Sequence, residues 1–292
     1  MRILLFILTN LAVTLLLGLV FFGLEVSGVL PQGQWGYLFV YSFVFGFGGA
    51  IISLFLSKTI AKWSMGVHVI EQPSSQMEAW LVDTVRQHAA RAGIGMPEVG
   101  IFDSDDPNAF ATGWSRNNSL VAVSTGLMRL MRPEQASAVL GHEVAHVANG
   151  DMVTLTLLQG VLNTFVIFGA RVIGAVVDSA LSRGDDRRRG GGFGYFITVM
   201  VAQFVLGLGA SMIIAWFSRY REFRADAGGA SLTSPHQMAG ALDALRRVSE
   251  ESALPENLTA FGIHGHAIAK LFASHPPLEE RIARLMAPRP AG

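Results

Sequence analysis

The amino-acid sequence predicts an α-helical integral membrane protein that also carries a mainly helical domain with a small β-sheet. The first observation is a shortage of charge, since only 15% of the 292 residues are charged, against about 25% in an average soluble domain. The second is a set of four apolar segments of the length that a bilayer core requires, which is about 20 residues. The third is GHEVAH at 141–146, where two histidines stand four residues apart on a predicted helix.

Composition excludes several classes of protein and of site. The net charge is zero, so nothing in it favours nucleic-acid binding. The chain has no cysteine, so it has no disulfide framework, no thiolate nucleophile and no thiolate metal site. Any bound metal ion must therefore be held by His, Asp or Glu.

The apolar segments divide the chain into two hydrophobic hairpins and two parts of one domain. Segment 3–22 is too long for a signal peptide, and no cleavage site follows it, so we interpret it as an uncleaved span. Arg171 and nearby glycines leave open that the third and fourth segments are buried core helices or a partly inserted hairpin. The predicted boundaries are 1–57 for the N-terminal hairpin (spans 3–22 and 35–56), 58–151 for the first part of the domain, 152–218 for the second hairpin (152–177 and 193–217) and 219–292 for the second part.

Positive charges near the predicted spans place both parts of the domain in the cytoplasm. Arg2 precedes the first span, and Lys58 and Lys62 follow the second, whereas the loop between them has no Lys or Arg. Loops rich in these residues stay on the cytoplasmic side. The second hairpin conflicts with this rule, because its loop contains four arginines and lies outside if both segments span.

Short periodic patterns predict the elements of the domain. Trp80, Leu81, Val85 and Ala89 approximate one face of an amphipathic helix. Pro133-Glu134 suits a helix start and leads into GHEVAH. In chain order the sequence predicts a helix at 76–92, strands at 98–103, 108–113 and 119–125, a helix from 133, and helices at 218–231, 235–252 and 278–286.

The GHEVAH segment has the residues of a zinc site and its general base. Residues four apart share one face of a helix, so His142 and His146 can direct two imidazoles at one point. Glu143 projects beside that point and can take a proton from a water molecule there, as in the HExxH arrangement. The competing interpretation is two solvated histidines and a glutamate on a helix surface.

A catalytic zinc ion needs a third protein ligand, and the best candidate lies much later in the chain. Met152 stands where a longer motif would place a third histidine, which excludes that motif. Glu222 can be the third ligand, and Asp226, one turn further along, can orient a ligand histidine. The alternative for Glu222 is an ion pair with neighbouring arginines. Two apolar segments separate His146 from Glu222, and an even number returns both to the same side of the membrane.

Further motifs extend over the whole chain. They are the opening MRILLFILTNLAV, FGFGGAIISL at 45–54, NAFATG at 108–113, VSTGL at 123–127, NGD at 149–151, REFRAD at 221–226 and SHPP at 274–277 with Arg281. Together with GHEVAH they resemble the HtpX family of bacterial membrane zinc peptidases. More distantly, they resemble the membrane proteases that process prenylated CAAX proteins.

The resemblance implies a membrane-bound zinc endopeptidase with one Zn²⁺ per subunit. The predicted fold class is an α-helical integral membrane protein with a mainly helical zincin-like (gluzincin) cytoplasmic catalytic domain containing a small β-sheet. The implied setting is the bacterial cell inner membrane, with substrates that are misfolded or damaged membrane proteins. The implied role is quality control under heat or envelope stress, in functional overlap with an ATP-dependent membrane protease.

The family pattern suggests further site residues. His275 and Arg281 match it, and we assign them to stabilising the oxyanion of the tetrahedral intermediate; the alternative is a helix-entry histidine and a surface arginine. The strand that contains Asn108, Ala109 and Phe110 is interpreted as a sheet edge to which an extended substrate adds. The alternative is that this strand lies inside the sheet.

Two rival functions remain open on sequence grounds. One is a non-catalytic membrane scaffold or transporter in which the histidines are incidental. A transporter should show broken spans with polar residues at mid-membrane, and these spans show little of that. The other rival is a CAAX-type processing protease, which is expected to have more spans around a large chamber.

Overall fold

The computed structural model describes residues 34–181, 193–251 and 273–287 of the chain. The first predicted span, 3–22, and the arginine-rich loop of the second hairpin lie outside the described residues. The chain divides into two compact units. The membrane unit comprises the described parts of Met1–Ser53 and Thr154–Ile214, and the sheet unit comprises the described parts of Leu54–Val153 and Ala215–Gly292.

Helices dominate the described part of the chain. In chain order they are α1 (Gln34–Phe43), α2 (Gly49–Ser64), α3 (Gln76–Ala92), α4 (Thr125–Leu130), α5 (Pro133–Asn149), α6 (Asp151–Leu181), α7 (Phe193–Leu232), α8 (Pro235–Glu251) and α9 (Leu278–Met286). A π-helical segment, Val44–Gly48, joins α1 to α2. The strands are β1 (His68–Val69), β2 (Glu98–Phe102), β3 (Ala109–Ser115) and β4 (Asn118–Ser124).

Three helical stretches of the described chain are long and apolar enough to cross a bilayer. They are Trp35–Ser64, Asp151–Ala180 and Phe193–Leu232. They contain the second, third and fourth apolar segments that the sequence predicts. The prediction of an α-helical membrane protein is therefore confirmed.

Arg171 does not interrupt its helix, since α6 continues through it to Leu181. Its Nη1 donates to the carbonyl of Ile167 at 3.1 Å, and the guanidinium lies 4.9 Å from the ring centroid of Tyr41. Partners of this kind allow a charged side chain to occupy an apolar segment. The arginine is therefore compatible with a continuous apolar helix.

A four-stranded sheet is the framework of the sheet unit, with strand order β1-β2-β4-β3. β2 and β4 are parallel, and the other neighbouring pairs are antiparallel. β4 lies inside the sheet and is buried along almost its whole length, which explains its nearly continuous apolar sequence. Helices α3 and α5 pack on the sheet to form a core whose most buried members are Leu81, Val85, Val99, Val121, Val123, Leu140 and Val144.

The observed elements follow most of the predicted ones. α3 and α9 have the predicted bounds, and β2, β3 and β4 differ from the predicted strands only at their ends. The short elements β1 and α4 are absent from the prediction. The prediction also separates 193–217 from 218–231, whereas α7 is one helix of 40 residues. No glycine or proline stands between Trp216 and Arg224, so nothing there breaks the helix.

Candidate metal centre

Helix α5 carries two of the predicted ligands on one face. Pro133 occupies its first turn, where the missing N–H needs no partner. Gly150 ends it in the left-handed conformation, with φ 69°, and Leu140 fixes its apolar side in the core. His142 and His146 therefore lie one turn apart, with side chains 8% and 14% exposed.

Helix α7 brings Glu222 to the same point, and two glycines permit the approach. A Cβ on Gly229 would lie 2.9 Å from the backbone nitrogen of His142, and one on Gly228 would lie 2.6 Å from the Cβ of Ala145. A side chain at either position would push α7 away from α5. The glycine pair is therefore the local sequence feature that lets the second ligand helix pack against the first.

Three side chains that can bind a metal ion converge within the sheet unit. The Nε2 atoms of His142 and His146 are 3.1 Å apart. Oε1 of Glu222 lies 3.3 Å from Nε2 of His146, and its Oε2 lies 3.6 Å from Nε2 of His142. Ligand atoms that lie 2.0–2.1 Å from a tetrahedral zinc ion are about 3.3–3.4 Å from one another. The spacing of these atoms therefore fits one tetrahedral metal ion.

Two aspartates determine which imidazole nitrogen faces the centre. Nδ1 of His146 donates to Oδ2 of Asp151 at 2.7 Å. Nδ1 of His142 faces Oδ1 of Asp226 at 2.9 Å in a less linear arrangement. Because a carboxylate only accepts hydrogen bonds, each neutral imidazole carries its proton on Nδ1. Both Nε2 atoms then face the Glu222 carboxylate, an arrangement that favours a cation, whether a proton or a metal ion, between the rings and the carboxylate.

The pKa values of both histidines are raised by the carboxylates around them, as in a centre that stabilises positive charge. Burial alone would lower the pKa of His146, but hydrogen bonds to Asp151 and Glu222 outweigh it and raise the pKa to about 10. The same competition, between burial and the contacts with its aspartate partner and Glu222, leaves the pKa of His142 raised. Burial also raises the pKa of Glu143 above that of an ordinary glutamate.

A C-terminal segment contacts the same carboxylates. Nδ1 of His275 lies 3.0 Å from Oε2 of Glu222, while the histidine side chain is 66% exposed. The guanidinium of Arg281 is buried and binds Asp226 through two hydrogen bonds, of 2.8 Å from Nε and 2.6 Å from Nη2. Its Nη1 lies 3.3 Å from Oε2 of Glu222. Both residues that the sequence assigns to the oxyanion are thus at the centre, but in different environments.

Asp151 and Arg221 also belong to the centre, although sequence reasoning gave neither of them a role. The buried Arg221 donates from Nη1 to the carbonyl of Asp151 at 2.9 Å, which ties the start of α6 to α7. The usable signal was the NGD motif, since Gly150 ends α5 and its successor begins α6 beside His146. Because the chain changes direction at Gly150, Asp151 lies close to the last turn of α5.

The strand β3 lies at an edge of the sheet, and no strand of the described residues pairs with its outer side. Asn108 immediately precedes it, and Ala109 and Phe110 are half-buried at its start. β3 packs against α5, so an open backbone edge runs beside the helix that carries the two histidines. The structure thus places these residues at a sheet edge and not inside the sheet.

An HExxH helix, a glutamate on a second helix and an edge strand beside them define a zincin-like metallopeptidase, here joined to helices of membrane-spanning length. The sequence profile of "Peptidase family M48" matches residues 75–289. The chain belongs to peptidase family M48. The predicted activity, that of a membrane-bound metalloendopeptidase, is confirmed, and the scaffold or transporter interpretation is not supported.

Similar proteins narrow the assignment within this family. "Protease HtpX" of Xanthomonas campestris pv. campestris (strain B100) is 57% identical over 289 residues, which cover 98% of this chain and 97% of that protein. "Protease HtpX homolog" of Paracidovorax citrulli (strain AAC00-1) is 58% identical over 288 residues, covering 97% and 98%. "Protease HtpX" of Thioalkalivibrio sulfidiphilus (strain HL-EbGR7) is 55% identical over 293 residues, covering 98% of each. The predicted membership of the HtpX family is confirmed.

A solved structure of low sequence identity has a similar fold. The crystal structure of S. mikatae Ste24p superimposes with a TM-score of 0.62 at 18% identity, over 97% of this chain and 67% of that one. This likeness confirms the predicted fold, a helical membrane protein with a mainly helical domain that contains a small β-sheet. At such low identity it carries no information about substrates.

Proposed function

We propose that this protein is a zinc-dependent endopeptidase that hydrolyses peptide bonds of misfolded or damaged membrane proteins. The observation that supports this most is the convergence of His142, His146 and Glu222 at tetrahedral spacing. Two imidazoles and one carboxylate, with a fourth position left for water, form the ligand set of catalytic zinc sites in peptidases. We therefore propose that each subunit binds one Zn²⁺ ion.

His142, His146 and Glu222 would hold the ion, and Asp226 and Asp151 would keep the two imidazoles in the required tautomer. When bound, zinc supplies Lewis-acid polarisation of a water molecule and of the scissile carbonyl. The aspartates also make the imidazoles better ligands, because a hydrogen-bonded Nδ1–H increases the basicity of Nε2. The buried carboxylates therefore act on the reaction through the histidines.

Glu143 is proposed as the general base. It follows His142 directly on α5, and it is buried. Burial raises its pKa, so the carboxylate is a stronger base than one on the surface. It accepts a proton from the attacking water and later delivers that proton to the leaving amine. The reaction then needs no covalent intermediate on the protein.

His275 and Arg281 are proposed to have different roles. The exposed ring of His275 lies beside Glu222 and can donate to the oxyanion of the tetrahedral intermediate. Arg281 is buried and directs its guanidinium nitrogens at Asp226 and Glu222. We therefore assign Arg281 to holding these two carboxylates in place. Sequence reasoning gave both residues the oxyanion role, because it could not show which carboxylates the guanidinium meets.

The open edge of β3 is proposed as the substrate-binding element. An extended substrate can add to it as a further antiparallel or parallel strand, with backbone hydrogen bonds supplying most of the affinity. Asn108, Ala109 and Phe110 begin this edge, beside the helix that carries the centre. Recognition through the backbone suits a protease that acts on unfolded segments of many sequences.

The proposed setting is the bacterial inner membrane, with the catalytic domain and both termini in the cytoplasm. The support is the placement of Lys58 and Lys62 near the end of an apolar helical stretch that is long enough to cross a bilayer. Relationship to the HtpX proteases supports a role in stress-related quality control, in functional overlap with an ATP-dependent membrane protease. The bilayer and unfolded or membrane-embedded protein chains are then its partners.

Detergent-solubilised protein incubated with unfolded casein tests the proposed reaction. Cleavage should require zinc and should stop after chelation. Glu143→Gln should abolish cleavage while the protein still binds zinc, because the variant keeps all three ligands. Glu134→Gln, an exposed position at the start of the same helix, serves as the matched control and should remain active.

Two outcomes would overturn parts of this proposal. Loss of both zinc and activity in Glu143→Gln contradicts the role of base, since a base that is not a ligand should leave the metal in place. A prenylated CAAX peptide provides the second comparison. Faster cleavage of that peptide than of unfolded casein would contradict the proposed quality-control function and would support CAAX-type processing.

A further inference from the structure

We propose that Phe55, Trp63 and Trp114 form a lipid-contacting surface of the sheet unit, here called the aromatic patch. Through this patch the edge strand β3 is held at the membrane–water interface, so that it receives substrate segments where they leave the bilayer. The part about substrates rests on the proposed function. The lipid contact does not, and it can be tested in a protein without activity.

The end of α2 has an apolar face and a charged face. Lys58 and Lys62 lie on the charged face, whereas three exposed apolar side chains recur at positions i, i+4 and i+7, as one face of a helix requires. These three side chains are Leu56, Ile60 and Trp63, and the exposed Phe55 lies on the side of the helix between them and the two lysines. The helical stretch that contains α2 is long and apolar enough to cross a bilayer. We therefore infer that lipid surrounds this apolar face.

The charged face of α2 is bound to the sheet. Nζ of Lys58 lies 2.8 Å from Oε1 of Glu98 and 2.7 Å from Oδ1 of Asn118, and Nζ of Lys62 lies 2.5 Å from Oε2 of Glu98. Glu98 begins β2 and Asn118 begins β4. This end of the sheet therefore lies against a helix whose other face is apolar and exposed.

A β-bulge brings Trp114 to that helix. β3 shifts register against β4 between Gly113 and Ser115, so Trp114 is the extra residue. Gly113 has φ 143°, and a Cβ there would lie 2.3 Å from the carbonyl oxygen of Asn118, so the bulge requires glycine. The indole contacts Phe55 with ring centroids 5.6 Å apart, yet it remains 41% exposed. Bulges commonly redirect a side chain, and here the redirected side chain adds to the exposed apolar surface of α2 at Phe55.

Trp63 indicates the depth of the patch. It is 87% exposed, and tryptophan concentrates at the membrane–water interface. Phe55 lies two helical turns nearer the apolar segment, about 12 Å along the axis. With Trp63 among the headgroups, Phe55 and Trp114 reach about the boundary of the hydrocarbon core, because the interfacial layer is only about 5–8 Å thick.

This placement has a consequence for substrates. One end of β3 lies at the patch, and the strand spans about 24 Å along an edge that packs beside α5. A chain segment that leaves the bilayer next to Trp114 would meet an open strand edge within a few residues. The chemical class of substrate is therefore an unfolded segment that is still attached to the membrane.

Depth-dependent quenching of tryptophan fluorescence tests the lipid contact. The full chain has five tryptophans, and proteins that retain only Trp63, Trp80 or Trp114 would be reconstituted in bilayers containing brominated phosphatidylcholine. Trp80 packs against the core of the sheet unit and is the control. We expect quenching of Trp63 and Trp114 to exceed that of Trp80 by about twofold or more, with bromines deeper in the acyl chain favouring Trp114. Equal quenching of Trp114 and Trp80 would overturn the proposal.

A second labelling strategy does not depend on replacing four tryptophans. Because the chain has no cysteine, Trp63→Cys and Trp114→Cys can each carry a nitroxide as a single change. Ser74→Cys, at an exposed loop position, is the aqueous control. Oxygen should collide with the labels at 63 and 114 more often than a water-soluble nickel complex does, and the reverse should hold at 74. An aqueous signal at 114 contradicts the proposal.

Cleavage of tethered peptides tests the consequence for substrates. A cleavable unfolded segment would be attached to a transmembrane anchor through spacers of increasing length. Cleavage should already occur with spacers of about ten residues, and faster than for the same peptide free in solution. A requirement for spacers of about thirty residues or more would show that β3 lies away from the bilayer. Failure to cleave any peptide would instead contradict the proposed function and leave the quenching result unchanged.

Discussion

At the scale of single residues, the carboxylates of the centre differ in their proposed roles because they differ in partners. Glu222 meets two imidazoles, whereas Asp226 and Asp151 each meet one Nδ1. Glu143 has the raised pKa of a buried carboxyl. In the proposed site, chemically similar groups thus act as ligand, orienting residues and base according to which atoms surround them.

Arg281→Lys separates the two roles that Arg281 could have. A lysine cannot make the two parallel hydrogen bonds to Asp226 and also approach Glu222. Zinc affinity should therefore fall about 10- to 100-fold, as is usual when a group that supports metal ligands is lost, and excess zinc should restore kcat. Zinc titration against a competing chelator measures this, with the more exposed Arg284→Lys as the control. A lower kcat at unchanged zinc affinity would support the oxyanion role instead.

His88 predicts how stability depends on pH. It lies buried between α3 and α5, where its Nε2 meets the carbonyl of Ser137 at 3.0 Å and its Nδ1 has no hydrogen-bond partner among the described residues. Burial lowers its pKa below the ordinary value of 6.5. As the pH falls through 6.5, the unfolded chain binds a proton that the folded protein resists, so the free energy of unfolding decreases.

His88→Gln should therefore flatten the decline of Tm between pH 7 and pH 5, measured in detergent across that range. The exposed His68→Gln is the matched control and should retain the slope of the wild type. Identical slopes in wild type and His88→Gln would show that this histidine is not responsible for the acid sensitivity.

At the scale of elements, the centre depends on how closely α7 approaches α5. Gly229→Ala would place a Cβ 2.9 Å from the backbone of His142. To relieve that clash, α7 must move away from α5, which should destabilise the protein by about 1–3 kcal/mol. Zinc content should also fall, because Glu222 moves with α7. Gly207→Ala in the same helix has open space around it and should change neither property. Thermal unfolding with zinc analysis of both variants tests this, and a fully metallated, equally stable Gly229→Ala would contradict it.

Periodicity and turn chemistry made most elements of the sheet unit predictable from sequence. The amphipathic pattern of α3 and the Pro133 start of α5 are local signals, and the structure agrees with both. β1 has only two residues and gives no periodic signal. The continuity of α7 was missed because its apolar and polar halves have different compositions, although no helix breaker separates them. A change of environment along a helix was thus interpreted as a change of element.

The candidate site was predictable where the ligands form a motif and less so where it depends on packing. His142, Glu143 and His146 lie in one short pattern, and Glu222 could be proposed from its own helix. The pairing of Arg281 with Asp226 joins residues 55 positions apart and has no periodic or spacing signal, so sequence reasoning could not assign it. The contact between Asp151 and His146 spans only five residues, and the NGD motif signals a helix end there, but not which histidine nitrogen the aspartate meets.

At the scale of the whole molecule, the chain between the first two ligands and the third contains α6 and most of α7, and both are long enough to cross a bilayer. Two crossings, or none, leave His146 and Glu222 on the same side. The membrane is thus compatible with a centre assembled from segments far apart in sequence.

The central claim is that Glu222 completes a zinc site with His142 and His146. Metal analysis of purified wild type beside Glu222→Gln tests it most directly, because the variant keeps the size of the side chain but loses its charge. We expect one zinc ion per chain in the wild type and a large loss of zinc, together with casein cleavage, in the variant. Full zinc occupancy in Glu222→Gln, at any level of activity, would contradict the account.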